Sequence, residues 1–401
     1  MSDKKDLGAA AMGNAQVGTK KHFVMLDGLR GVASLLVVAF HLFEAFAQGD
    51  PHRQIINHGY LAVDFFFLLS GFVIAYAYDD RWGRMSQWQF YRRRLIRLQP
   101  MIIAGTLFGA ALFGFQNFSI FPKVADATPL QIAIVAVLGC LMIPLPKAFD
   151  IRGWDETYPL NGPAWSLFYE YVANIFYATV LRRLSNWGLA VLLALAAVAL
   201  VDLAVFGGRG DLIGGWALDA DGLRIGFTRV AYPFLAGILL MRLGKRVPVK
   251  GAFGVCSVLL VVALSVPRFG GTAAPWLNGL YEAVCIMMLF PLIVAIGAGH
   301  QDPRGPSLRI ARFFGDLSYP LYITHYPLIY IFTGWVADRK VPPGLGAIVG
   351  LGVFFLAIAA AIAWLKLFDE PLRRWLTERA RRADKATGEL YRVSRQPGHS
   401  L

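Results

Sequence analysis

The 401 residues of the chain are 56% hydrophobic and only 16% charged, and the mean hydropathy is +0.51. Soluble domains carry roughly 25% charged residues, so this chain has too few to cover a surface that faces water. The formal net charge of +13 does not indicate nucleic-acid binding, because lysine and arginine collect in short loops between apolar blocks. The three cysteines lie in apolar stretches without ligand-like spacing, so we expect neither a disulfide framework nor a metal site.

Apolar windows of membrane-spanning length follow one another along the chain. They predict an all-α fold, a polytopic membrane helix bundle, because a helix satisfies its own backbone polar groups in lipid. The eleven windows lie near 24–48, 60–78, 100–117, 130–146, 163–181, 187–206, 223–241, 251–267, 278–298, 313–335 and 345–368. We divide the chain into a polar cytoplasmic N-terminal tail at 1–22, one membrane domain at 23–374 and a basic cytoplasmic C-terminal tail at 375–401.

Positive charges in the loops predict which windows cross the bilayer. Counted from the N-terminus, the lysines before the first window and the arginines at 81–97 lie inside, so the chain is outside near residue 118. Counted back from the C-terminus, the basic loops put the chain outside near residue 160 as well. The window at 130–146, which Pro144 and Pro146 interrupt, must then cross an even number of times. We predict about ten transmembrane helices plus one re-entrant or interfacial helix, with both termini cytoplasmic in a bacterial inner membrane.

Five titratable residues lie inside predicted spans, where a charge costs about 3 kcal/mol or more unless it faces a polar interior. They are His41, Glu44, Asp64, Glu170 and His325. Counted at about 1.5 Å per residue, they lie at overlapping depths in the middle and outer half of a ~30 Å core. Each could instead be satisfied separately by a neighbouring helix. Their overlap favours a shared polar chamber, in which a neutral His41, held by Glu44 at i+3, could take a proton from a hydroxyl.

Four arginines lie at the cytosolic mouth of the third predicted span: Arg92, Arg93, Arg94 and Arg97. In a helix, Arg93 and Arg97 share a face, with Arg94 adjacent. Arg30 similarly shares a face of the first span with His41, about 16 Å further along the axis. Arginine binds phosphate through two hydrogen bonds, so a phosphate-bearing donor would fit this mouth. From charge alone, a positive-inside anchor is the better explanation.

Six short motifs, in chain order, resemble those of the acyltransferase-3 family of integral-membrane O-acyltransferases, over about residues 22–374. They are Arg30 and His41 with ten residues between them, Gly59–Phe72, the arginine run at 92–97, Pro163–Glu170, Gly315–His325 and Glu370–Arg373. The resemblance implies ten spans, in agreement with the count from loop charge. Many relatives carry a periplasmic hydrolase-like domain, and because the sequence ends at Leu401 we expect a single-domain form without it.

The resemblance further implies roles for individual residues. His41 would be the catalytic histidine, with Asp64, Glu170 and His325 in the chamber, and the i+3 spacing to His41 adds Glu44 to this catalytic set. The donor-binding set would be Arg30, Arg93, Arg94, Arg97 and Ser166. Acyl-CoA, with acetyl as the expected group, would be a donor substrate and not a bound cofactor. The acceptor would be a hydroxyl of an exported or lipid-linked glycan.

Several alternatives stay open at this point. The imidazole of His41 could activate the acceptor for direct attack or carry the acyl group itself. Intramembrane His, Asp and Glu are equally natural in a proton-coupled transporter or flippase, although no matched pair of half-repeats supports one. A structural scaffold is the third alternative. The identity of the acceptor, the oligomeric state and a partner protein that completes transfer are not predicted.

Overall fold

The computed structural model describes residues 22–47, 50–299 and 306–393, with side chains as far as Asp384. Within these ranges the chain forms fourteen α-helices, which confirms the predicted all-α class. The helices are α1 (Val24–Ala47), α2 (Ala62–Tyr78), α3 (Gln87–Leu112), α4 (Pro129–Cys140), α5 (Ala164–Thr179), α6 (Asn186–Val201), α7 (Ala220–Leu243), α8 (Ala252–Ser265), α9 (Trp276–Val284), α10 (Phe290–Gly299), α11 (Pro306–Thr324), α12 (Tyr326–Arg339), α13 (Pro343–Trp364) and α14 (Glu370–Val393).

Seven helical stretches of the described chain are long and apolar enough to cross a membrane. They contain α1, α2, α3, α6, α7, α9 with α10, and α13 with α14. Three other predicted spans fall short of that standard. Helix α5 has 16 residues and α8 has 14, which is about 24 Å and 21 Å against a ~30 Å core, and the window at 313–335 is divided between α11 and α12. The count of about ten therefore stays a prediction.

Helix α4 lies in the window at 130–146, for which the loop charges predict an even number of crossings rather than one. Thr128 starts it with a capping box, because its hydroxyl accepts from the Gln131 amide at 3.2 Å while the Gln131 side chain accepts from the Thr128 amide at 2.8 Å. Pro129 at the first helical position suits such a start. Its 12 residues reach about 18 Å, too short to cross.

Close backbone contacts at glycine bring the central helices together. A Cβ atom on Gly31 of α1 would lie 2.1 Å from the carbonyl oxygen of Phe314 in α11, and one on Gly71 of α2 would lie 2.1 Å from that of Phe234 in α7. Small residues permit such contacts between membrane helices. Because α1 and α11 pack so closely, the residues of their facing sides meet along the whole interface.

The outer faces of the bundle are apolar. Exposed side chains include Leu195 and Val198 on α6, Val258 on α8, and Ile348 and Phe355 on α13. Exposed apolar surface of this extent is unusual in a monomeric soluble protein and is expected where helices contact lipid.

Two predicted boundaries differ from the structure. The window at 313–335 bends at His325, between the end of α11 and the start of α12. Pro327, which lacks an amide hydrogen, lies in the first turn of α12. The C-terminal tail expected from residue 375 continues as helix α14 as far as Val393. The N-terminal lysines, on which the predicted orientation depends, lie outside the described residues.

Candidate active site

A cavity of about 840 Å³ lies among α1, α2, α3, α5, α11 and α14, and we call it the arginine cavity. Its volume is within the usual range for a small-molecule site. Five residues of the predicted site line it: Arg30, Arg94, Arg97, Ser166 and Glu170. Five others do not: His41, Glu44, Asp64, His325 and Arg93. The predicted single chamber is therefore divided in this structure.

The part of the arginine cavity around Arg97, which we call its wide end, carries a cluster of positive charge. Arg97 is repelled by the charges of Arg30, Arg94 and Arg373, and it is attracted by Asp27 and Asp369. Asp27 is already engaged, since its carboxylate lies 2.8 Å from Nη2 of Arg30. Like charges collected in one cavity attract anions.

His22, just before α1, also lines the wide end, and sequence reasoning missed it. Its Nε2 lies 3.0 Å from the carboxylate of Asp27, and this hydrogen bond raises the pKa of His22 above its ordinary value. A protonated His22 adds to the positive charge of the entrance.

Glu170 joins three helices in the middle of the cavity. Its Oε1 accepts from Nη2 of Arg94 on α3 at 2.7 Å and from the hydroxyl of Ser70 on α2 at 2.7 Å. Glu170 itself lies on α5. This shared acceptor holds Arg94 toward the cavity and leaves Arg97 as the cavity-lining arginine of α3 that has no ion pair among the described residues.

Arg93 lies on a different side of α3. The residues of α3 that line the cavity are Arg94, Arg97 and Leu98, at spacings i, i+3 and i+4. Arg93 is exposed beside this face, so the geometry assigns the place predicted for it to Arg94.

Ser166 and Tyr322 line the opposite part of the cavity, which we call its narrow end, and a hydrogen bond between them closes it. The hydroxyls of Ser166 and Tyr322 are 2.8 Å apart, and Ser166 donates to the carbonyl oxygen of Pro163 at 3.0 Å. Because Ser166 uses its hydrogen there, Tyr322 donates to Ser166. The ring of Phe66 packs edge-on against Tyr322 with centroids 5.3 Å apart.

Two histidines lie beyond this closed end. His41 of α1 and His325 of α11 have ring centroids 5.7 Å apart and nearly parallel planes, and the His325 ring is 6.3 Å from that of Tyr322. The overlap in depth that the spacing predicts for the two histidines is therefore present. The ring of Tyr326 packs edge-on against His41 at 4.8 Å.

Glu44 holds one tautomer of His41. Its Oε2 lies 2.7 Å from Nδ1 of His41, so an Nδ1–H donates to the carboxylate and the Nε2 lone pair is left to accept a proton. The side chain of His41 is 18% exposed and that of Glu44 is 39% exposed. This pair is therefore open to the side of the bundle away from the arginine cavity.

His325 is fully buried and only half satisfied. Its Nδ1 lies 3.0 Å from the carbonyl oxygen of Leu321 and donates to it, while no hydrogen-bond partner is found for Nε2 in the described structure. A bare acceptor in an apolar setting costs about 1–3 kcal/mol, so its retention beside His41 marks this position as a candidate functional one.

Asp64 belongs to a separate buried pair. Its two oxygens accept from Arg229 of α7 at 3.2 Å and 2.6 Å, and both side chains are almost completely buried. Arg229 also donates to the carbonyl oxygens of Gly214 and Tyr60. The predicted position of Asp64 in the histidine chamber is not what the structure shows, because Arg229 occupies its carboxylate. Arg229 lies inside an apolar window, and the rule that singled out Asp64 would have found it.

A second group of residues that the sequence did not reveal packs against Tyr326. Tyr330 packs against Tyr326 with ring centroids 4.5 Å apart and donates to Glu156 at 2.6 Å. The guanidinium of Arg152 lies 3.4 Å from the centroid of Tyr330. Nothing in the spacing along the chain brings residues 152–156 next to α12. In the described residues, no group of three His, Cys, Asp or Glu is placed to hold a metal ion.

Fold and site together define an all-helical protein of membrane type, with a histidine–carboxylate pair next to an arginine-lined cavity. A family model described as an acyltransferase domain matches residues 23–364, so the chain belongs to the acyltransferase-3 family. The resemblance drawn from the six motifs is thereby confirmed.

Curated relatives extend this finding. "Protein 2 in picA locus" of Rhizobium radiobacter is 35% identical over 191 residues, which is 46% of this chain and 95% of that protein. "Acyltransferase MdmB" of Streptomyces mycarofaciens is 25% identical over 92% of this chain and 97% of its own length. "Putative O-acetyltransferase" of Staphylococcus aureus is 24% identical over 87% of this chain, which spans 57% of that relative. None of the solved structures matches the chain.

Proposed function

We propose that the chain is a membrane O-acyltransferase that moves an acyl group, with acetyl expected, from cytosolic acyl-CoA to a hydroxyl of an exported or lipid-linked glycan. The observation that carries the proposal is the pairing of His41 with Glu44, next to a cavity whose arginines repel one another. A carboxylate that holds Nδ1–H makes Nε2 the base that an alcohol acceptor needs. The arginines supply the sites that the phosphates of the donor need.

The chemistry divides into two routes. In the first, Nε2 of His41 takes the proton of the acceptor hydroxyl while its oxygen attacks the thioester carbonyl. In the second, Nε2 itself attacks, and the hydroxyl then displaces the imidazole from the acyl group. In both routes the C–S bond breaks, an ester C–O bond forms, and the hydroxyl proton ends on the thiol of coenzyme A.

A transfer assay tests the proposal and its donor together. Membranes that carry the chain are given acetyl-CoA with a labelled acetyl group, and label in the glycan fraction is measured. The wild type is expected to transfer label, whereas a transporter or flippase would not. Arg97→Gln is expected to raise the KM for acetyl-CoA about tenfold or more, because one charge-assisted phosphate contact is lost.

Arg93→Gln is the matched control for this assay, since Arg93 lies on the same helix and does not line the cavity. We expect its KM to stay within about twofold of the wild type, as for a solvated surface charge. Equal KM values for the wild type and Arg97→Gln would contradict the assigned donor site. No label in any glycan or lipid fraction would contradict the function.

A second prediction concerns the narrow end of the cavity, which Tyr322 and Ser166 close. For the thioester to reach His41, the hydrogen bond between Tyr322 and Ser166 has to open, because these side chains lie between the cavity and the histidines. Tyr322→Phe removes this bond, and a net loss of about 1 kcal/mol would increase the open population about fivefold. We expect release of free coenzyme A in the absence of acceptor to rise several-fold.

The thiol released from acetyl-CoA measures this leak directly. Tyr78→Phe is the control, because Tyr78 is the last residue of α2 and does not line the cavity. If Tyr322→Phe leaves acceptor-free hydrolysis at the wild-type level, the pair does not close the donor passage.

A further inference from the structure

Helix α14 lies across the wide end of the arginine cavity, beyond the segment that the family model covers, and its first turn carries the Glu370–Arg373 motif. The family match ends at residue 364, and α14 begins at Glu370. Six of its side chains line the cavity: Glu370, Arg373, Arg374, Thr377, Glu378 and Arg381. Their spacing of three or four residues places them on one helical face. One face of α14 therefore forms a wall of the cavity.

A side-chain contact fixes α14 in this position. Asp384 accepts from Nη2 of Arg92 at 2.6 Å and from the amide of Gln89 at 3.2 Å. Both partners lie near the start of α3, five and eight residues before Arg97, which is about 8 Å and 12 Å along the helix axis. The end of α14 that carries Arg381 is thus located one to two helical turns outside Arg97.

The charges on α14 are not equivalent. Near its start, Arg373 pairs with Asp369 at 3.0 Å and Arg374 with Glu370 at 3.5 Å. No acid lies within ion-pair distance of Arg381 in the part of the chain that the structure describes. The same holds there for Arg312 of α11, which is exposed and lines the cavity. Two guanidinium groups from two helices, neither in an ion pair within the described residues, therefore line the cavity, together with the carboxylates of Asp316 and Glu378.

We propose that Arg312 and Arg381 form an outer anion subsite that binds the ribose 3′-phosphate of a nucleoside 3′,5′-bisphosphate donor. The inner cluster around Arg97 and Arg30 then receives the diphosphate on the 5′ side. Two phosphate positions on one ribose need two groups of arginines at separate depths, which is the arrangement that α3 and α14 provide. The inference rests on the proposed function, since coenzyme A is the donor that carries both groups.

Binding of small nucleotides tests the subsite without acyl transfer. The full chain is placed in nanodiscs of phosphatidylcholine, which excludes anionic headgroups, and titrated calorimetrically with adenosine 3′,5′-bisphosphate and with adenosine 5′-monophosphate. We expect the wild type to bind the bisphosphate about tenfold more tightly, as one arginine–phosphate contact allows. Arg381→Gln and Arg312→Gln are each expected to lower this ratio, and the double variant to bring it close to one.

Arg382→Gln is the matched control. Arg382 directly follows Arg381 in the same basic stretch and is exposed, but it does not line the cavity. It should keep the wild-type ratio, and Arg381→Lys should keep part of it. An equal loss in Arg382→Gln would overturn the proposal, because the helix would then act through its total charge. A wild type that binds acetyl-CoA without preferring the bisphosphate would overturn the subsite alone, whereas one that binds neither would also contradict the proposed donor.

Discussion

Replacement of His41 by alanine is expected to lower the rate of acyl transfer at saturating acetyl-CoA by about 10²–10⁴-fold, the usual contribution of a positioned general base. His41 is the histidine whose Nδ1 is held by a carboxylate and whose other nitrogen is free to take a proton. A nucleophilic role for the same nitrogen predicts at least as large a loss. The measurement is the initial rate of transfer of labelled acetyl groups to glycan.

Two further variants separate catalysis from a loss of structure. Glu44→Gln keeps an acceptor for Nδ1–H but removes its charge, so we expect a smaller loss, about tenfold, with a changed pH profile. His52→Ala, an exposed histidine outside the site, should leave the rate unchanged. A His41→Ala protein that transfers label at the wild-type rate would contradict the assigned role.

Arg229→Met is expected to lower the free energy of unfolding by about 3–5 kcal/mol, because Asp64 would be left as a buried charge without a partner. The pair is almost completely buried, and Arg229 makes two hydrogen bonds with Asp64. The loss should appear as a lower midpoint of thermal unfolding of the purified protein. Neutralising the acid as well, in Asp64→Asn with Arg229→Met, should recover part of it.

Arg224→Met provides the comparison on the same helix. Arg224 pairs with Asp202 at 2.8 Å, but both side chains are more than half exposed, so the expected cost is at most about 1 kcal/mol. This contrast also tests the catalytic role that the family resemblance implied for Asp64. If Arg229→Met abolishes transfer while the midpoint of thermal unfolding is unchanged, Asp64 acts in catalysis rather than in folding.

Composition and local pattern were sufficient for the class of the protein. Long apolar windows can only be helices in lipid, and this physical restriction makes the all-α fold predictable from residues alone. The pairing of His41 with Glu44 was also predictable, because i,i+3 neighbours on a helix meet whatever surrounds them.

Contacts between helices were decided only by the tertiary structure. The amino-acid sequence established that Arg93, Arg94 and Arg97 share part of a helix, but the rotation of α3 against Glu170 put Arg94 and Arg97 in the cavity. The sequence also identified Asp64 as a titratable group in a predicted span. Its partner Arg229 lies 165 residues away in the chain, so only the tertiary structure shows the pair. Local spacing sets which residues share one face of a helix, whereas the packing of glycine-lined interfaces sets what that face meets.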